Sequence, residues 1–173
     1  MSEVLIIFCV GAVLFRLIML AVSIRHERAL KRDGAVELGA GNTVLLTLLH
    51  IAYYAAAITE GALRASPIDA ITIFGMILYV LAMIALLVVV RLLGRFWTVK
   101  LLIARDHQLV SHPLFRWVRH PNYFLNILPE LAGLALALDA YVTLLIGLPI
   151  YVVSLMTRIR QEEAAMTERF DRY

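Results

Sequence analysis

Two short stretches of this chain carry residue types that could do chemistry. They are RHPNY, from Arg119 to Tyr123, and RIRQEE, from Arg158 to Glu163. In the first, Pro121 biases His120 away from the α region and can itself open the next helix. Arg119 and His120 then stand at a helix entrance, beside its positive end, where an anion such as a carboxylate is favoured. If that helix begins near Asn122, then Tyr123, Asn126 and Glu130 follow at i, i+3 and i+7 and share one face. Glu130 falls about two turns into an apolar segment, and a carboxylate there is costly and usually faces a partner or a cavity. Its plain alternative is a structural hydrogen bond to a neighbouring helix, through His50 or Arg16. In the second stretch Arg158 and Glu162 have the i, i+4 spacing of an ordinary surface pair. Glu163 points about 100° away from Glu162, so one carboxylate can face the protein while the other faces water.

Other chemistries are poorly supported. His107, His112 and His120 match no compact metal signature, so no metal is expected. Ser111 beside His112 does not make a nucleophile with its base. GxSxG, GxGxxG and P-loop patterns are absent from the sequence. The single cysteine, Cys9, excludes a disulfide framework within one chain. A formal charge of +3 gives no argument for nucleic acid as a partner.

The elements that must position these residues are membrane helices. Of 173 residues, 62% are hydrophobic and 17% charged, against about half and a quarter in soluble domains. The excess falls in runs near the ~20 residues that cross a bilayer. They lie at about 4–24, 44–61, 71–90, 124–138 and 140–156. The last two, separated by little more than Asp139, read as a tight helical hairpin. The expected fold is all-α: one polytopic domain, 1–173, with five transmembrane helices. The first connection holds Arg25, Arg28, Lys31 and Arg32, and the third holds Arg91, Arg95, Lys100, Arg105, Arg116 and Arg119. The tail holds Arg158, Arg160, Arg169 and Arg172, whereas the second connection has only Arg64 and the fourth none. This asymmetry places the N-terminus outside and the C-terminus in the cytoplasm. Residues 91–123 and 157–173 then meet at the cytosolic face. Trp97 to Val110 reads as an interfacial segment, anchored by Trp97 and Lys100.

The pattern LVSHPLFRWVRHPNYF, then apolar spans, then RIRQEEAAMTERFDRY resembles the isoprenylcysteine carboxyl methyltransferase family. Arg119, His120, Pro121 and Tyr123 match its RHPxY step. Arg158, Ile159, Glu162, Glu163, Phe170 and Tyr173 match its closing step. His112-Pro113-Leu114 stands where that family usually has Gly-Pro-aromatic. More narrowly, RLLGRFWTVKLLIARDHQLVSHPLFRWVRHPNYFLNILPE is similar to a bacterial branch linked with type III polyketide synthases, whose members O-methylate alkylpyrones or alkylresorcinols. The resemblance implies S-adenosylmethionine as cofactor, held by His112, Pro113, Leu114, Arg119, His120, Tyr123, Glu162 and Glu163. It implies catalytic roles for Arg158, Glu130 and Asn126. It also implies a lipophilic acceptor entering from the bilayer of the bacterial cytoplasmic membrane, a site facing the cytosol, and a type III polyketide synthase as pathway partner. An isoprenylcysteine carboxyl or phospholipid N-methyltransferase is the alternative enzyme. A membrane scaffold or small transporter is the alternative without catalysis.

Overall fold

The computed structural model describes residues 1–103 and 112–169. His107, Ser111, Phe170 and Tyr173 therefore lie outside the described residues. Three long helices come first: α1 (Glu3–Arg32), α2 (Ala40–Arg64) and α3 (Ala70–Leu93). Each ends in basic residues and two begin on a side-chain cap. Ser2 Oγ accepts from Leu5 N, and Asp69 Oδ1 accepts from Thr72 N at 2.8 Å, satisfying amides that have no intrahelical partner. Helix α1 runs eight residues past the apolar run ending at Ile24. Hydropathy marks the bilayer, whereas Arg25–Arg32 is made largely of good helix formers that continue the helix into water.

Between α1 and α2 lies strand β1 (Val36–Leu38), and after α3 lies β2 (Leu101–Ile103). They pair antiparallel, with Glu37 opposite Leu102. This small sheet was not expected from the sequence, because three-residue strands carry no usable alternation. It fastens the segment after α3 to the basic end of α1. Val99 N donates to Ser23 Oγ at 2.8 Å, and His26 Nδ1 lies 2.9 Å from Trp97 O.

After a five-residue helix α4 (Pro113–Trp117) the chain enters the expected hairpin. Its first arm is a wide π turn, Asn122–Ile127, running into α5 (Leu128–Ala137). Its second arm is a π turn, Thr143–Gly147, running into α6 (Leu148–Arg169). Both π turns stand just before a proline, Pro129 or Pro149. Proline cannot donate to the carbonyl four residues back, and the ladder re-forms one residue wider, with Leu128 N donating to Tyr123 O. The hairpin turn is closed by Asp139 in the left-handed region (φ 52°). Glu60 of α2 receives Val142 N, Thr143 N and Thr143 Oγ1 at 2.9–3.0 Å, capping the second arm.

Among the described residues four helices are long and apolar enough to cross a membrane: α1, α2, α3 with the turn that follows it, and Thr143–Thr167. The arm Asn122–Ala137 is shorter, about 24 Å at 1.5 Å per residue. It is also the most enclosed, with Glu130, Leu131, Leu134 and Ala135 all fully buried. Its backbone touches α3 directly. A Cβ on Gly133 would meet Tyr79 N at 2.7 Å and Gly75 O at 2.8 Å. Small residues that allow backbones this close are the usual basis of helix packing in lipid.

Candidate active site

The RHPNY and RIRQEE stretches meet at the end of the bundle that carries the basic residues. Pro121, in the α region at φ −64°, starts the turn as expected and leaves His120 buried at its entrance. The His120 ring lies between the two carboxylates, with Nδ1 3.2 Å from Glu162 Oε2 and Nε2 3.3 Å from Glu163 Oε1. Only the imidazolium can donate to both. Burial alone would push the His120 pKa down. The hydrogen bonds to Glu162 and then Glu163 outweigh it and hold the pKa above the ordinary histidine value. Tyr123 stacks on His120, ring centres 5.8 Å apart, and donates to Glu162 Oε1 at 2.5 Å. Arg119 lies 3.9 Å from Glu163 and, like it, is open to solvent.

Arg158 is buried, and its nitrogens face the protein itself. Nη1 donates to Thr43 Oγ1 at 2.8 Å, Nη2 donates to Val99 O at 2.9 Å, and Nε stands 3.7 Å from Glu162 Oε1. It joins α2, the segment before β2, and α6, and it fixes Glu162. His112 caps α4 by accepting from Leu114 N at 3.2 Å, Pro113 opens that helix, and Leu114 packs near Trp97. Among the described residues, none of these three makes a hydrogen bond or ion pair with His120 or the two glutamates.

Tyr123, Asn126 and Glu130 do share one buried face, as their spacing predicts. Glu130 belongs to a second polar cluster at bilayer depth. It is ion-paired with Arg16 of α1, accepts from Tyr54 Oη of α2, and lies 3.5 Å from His50 Nε2. Tyr54 Oη lies 3.0 Å from Tyr79 Oη, and His50 Nδ1 is 3.4 Å from Tyr151 Oη. Asn126, 1% exposed, stands between the clusters. Its Nδ2 donates to Asn122 Oδ1 at 3.3 Å, while its own Oδ1 has no hydrogen-bond partner.

Residues 75–168, from α3 to the end of α6, match the isoprenylcysteine carboxyl methyltransferase family, and this is more than half of the chain. The chain belongs to that family. Both halves of the His120 cluster lie in the matched region, as do Asn126 and Glu130. The chain is 44% identical over 162 residues to an uncharacterized protein of Haemophilus influenzae, covering 94% of this chain and 93% of that one. It is 30% identical over 154 residues to the uncharacterized protein YpbQ of Bacillus subtilis, covering 86% and 88%. No solved structure matches. Membership makes the chain a membrane methyltransferase of the isoprenylcysteine carboxyl methyltransferase type.

Sequence reasoning named Arg16 and His50 only as structural partners for Glu130, and it passed over Tyr54, Tyr79, Tyr151 and Thr43. The useful signal was a lone Arg in the middle of an apolar run, which demands a buried acid. The three tyrosines gave none, since aromatics are common in any apolar helix. Glu60 was also missed.

Proposed function

We propose that this protein is an S-adenosylmethionine-dependent O-methyltransferase of the bacterial cytoplasmic membrane. Its acceptor is lipophilic, an alkylpyrone- or alkylresorcinol-type hydroxyl made by a type III polyketide synthase and reached from the bilayer. In this reading the arm Asn122–Ala137 completes five crossings, with the N-terminus outside. The basic residues at one end of the helices support that orientation.

The observation that carries the reading is the convergence of Arg119, His120, Tyr123, Glu162 and Glu163 at one end of the bundle. The donor set suits the cofactor. An amino acid's ammonium and carboxylate need acids and bases side by side, and this patch offers both at the protein surface. Glu162 and Glu163 would hold the ammonium, with the carboxylate held by Arg119 near the His120 imidazolium, whose two N–H groups orient the glutamates. Tyr123 would line the adjoining wall, and His112 to Leu114 would border the patch from α4. When bound, the cofactor supplies a methyl group activated by an adjacent sulfonium. The chain's own task is positioning, the largest contribution a protein makes to such an in-line transfer. Arg158 keeps Glu162 in place from below. Asn126 and Glu130 continue the same face into the bilayer, where an acceptor hydroxyl must be oriented and its proton received.

Calorimetric titration of the detergent-purified protein with S-adenosylhomocysteine tests the reading. Micromolar binding is expected, lost in His120→Ala and Glu163→Ala and retained in Glu130→Gln. No binding to folded wild-type protein would refute it.

A further inference from the structure

The basic end of α1 carries cations of two kinds. Lys31 is neutralised: its Nζ lies 2.8 Å from Glu27 Oε1 and from Glu37 Oε2, beside the small sheet. Arg25, Arg28 and Arg32 are exposed, and among the described residues none of them pairs with an acid. At about 100° per residue the three fall within about 60° of one another and stand about 100° or more around the helix from Glu27. Like charges at this spacing repel, and an anion set between them relieves the repulsion.

Their depth and surroundings say which anion. The apolar run 4–24 is about 31 Å long at about 1.5 Å per residue, which matches a hydrocarbon core of about 30 Å. Arg25 therefore stands at the edge of that core, and Arg28 is about 4.5 Å farther out, inside a headgroup layer about 5–7 Å deep. Val22, Arg25, His26 and Ala29 line a groove of about 420 Å³. His26 is held in its wall, since Trp97 O can only accept and Nδ1 donates to it at 2.9 Å. Below the groove the same face of α1 is bare hydrocarbon, with Leu14 54% and Ile18 60% exposed. An arginine at the head of a groove, with an aliphatic stripe running from it toward the bilayer centre, is the complement of a phosphodiester carried on an acyl chain. An acidic protein would match the charges alone.

We propose that the groove at Val22, Arg25, His26 and Ala29 is a binding site for an anionic phospholipid of the leaflet at that end of the bundle. The phosphodiester sits against the Arg25 guanidinium, with Arg28 beside it and Arg32 adding to the attraction from the water layer. One acyl chain lies along Val22, Ile18 and Leu14. A zwitterionic lipid would bring an ammonium beside three guanidinium groups that lack acids, so the site selects net negative charge. It does not depend on the methyl transfer proposed above. Arg91 of α3 supplies the comparison. It too follows an apolar run, is exposed and has no acid partner among the described residues, but it does not line the groove.

The test uses the full chain reconstituted in phosphatidylcholine bilayers. Trp117→Phe leaves Trp97 as the one tryptophan, and Trp97 belongs to the buried cluster on which Val22 packs. Phosphatidylglycerol or phosphatidylcholine with dibrominated chains is introduced as a quencher of its fluorescence, at equal mole fraction. Stronger quenching by phosphatidylglycerol is expected. Arg25→Gln should lower the preference for phosphatidylglycerol about fivefold, the worth of one arginine at an anionic surface, and Arg25→Lys should keep most of it. Arg91→Gln should leave it unchanged. Equal quenching by the two lipids, or undiminished preference in Arg25→Gln, would overturn the site. So would an equal loss in Arg91→Gln, because the attraction would then belong to the basic surface as a whole. Release of the quenching by sn-glycerol 3-phosphate or by polyglutamate would also overturn it, making the occupant a soluble phosphate or an acidic chain.

Discussion

Gly133→Ala should destabilise the protein, although alanine is the better helix former. The reason is the contact of α5 with α3. A methyl group on Gly133 would sit 2.7 Å from Tyr79 N, 2.8 Å from Gly75 O and 3.1 Å from Tyr79 Cα. All three are backbone atoms, so no side chain can rotate away. Relief needs the helices to part by about 0.7 Å, to reach the 3.4 Å of ordinary contact. Overpacking of this kind costs about 1–3 kcal/mol. Exchanging Gly for Ala within a helix returns about 0.5–1 kcal/mol. Gly11→Ala is the matched control, because a Cβ there meets nothing within 4 Å and only the gain applies. The two variants should therefore differ by about 1–3 kcal/mol, with wild type between them. Equilibrium unfolding in mixed dodecyl sulfate micelles, followed by tryptophan fluorescence, measures this difference. Gly75 presses on the same contact from the other side, so adding Gly75→Ala to Gly133→Ala should cost less than the sum of the two. A Gly133→Ala protein as stable as Gly11→Ala would refute the close-contact argument.

Three further outcomes are expected. His120 has a raised pKa, so its pairing with Glu162 and Glu163 contributes fully below the ordinary histidine value of about 6.5 and fades as pH rises through the higher folded value. Unfolding measured across pH 5–9 should show this loss, and Glu162→Gln with Glu163→Gln should flatten it. Glu60→Ala removes three hydrogen bonds from the start of the second hairpin arm and should cost about 1–3 kcal/mol in the same unfolding assay. Arg158→Ala should cost about 1.5–3 kcal/mol through the charged bonds to Thr43 and Val99. Arg158→Lys should restore only part, because a single ammonium cannot span two acceptors lying in different directions.

What could be read from the sequence was whatever is local. Ile71–Val90 announced α3 by composition alone, and Asp139 between two apolar runs announced the hairpin. The i, i+3, i+7 spacing of Tyr123, Asn126 and Glu130 was enough to put them on one face, even though Pro129 widens the helix between them. The partners were not readable. Glu130 meets Arg16 from 114 residues away and Tyr54 from 76, and Arg158 meets Thr43 from 115. Separations of that size leave no periodic trace, and only the energetic oddity of each charge hints that a partner exists. The Arg158 donors illustrate the limit. The resemblance implies a catalytic role for Arg158, and the fold directs its donors to a threonine hydroxyl and a backbone carbonyl.

The pairing of Arg16 with Glu130 also sets an order of assembly. At about 5–20 residues per second, a ribosome finishes Glu130 about 6–23 s after Arg16. Throughout that interval α1 holds a cation that has no acid to meet. The arm carrying Asn122, Asn126 and Glu130 is too short and too polar to partition into lipid by itself. Arg16, Tyr54, the Tyr53 hydroxyl on Leu131 O and the backbone of α3 hold it there. The first three helices are thus a receptor made in advance, and the last hairpin is delivered into it as a unit. Ribosome-bound chains ending near Asp139 should leave their final segment outside the bilayer.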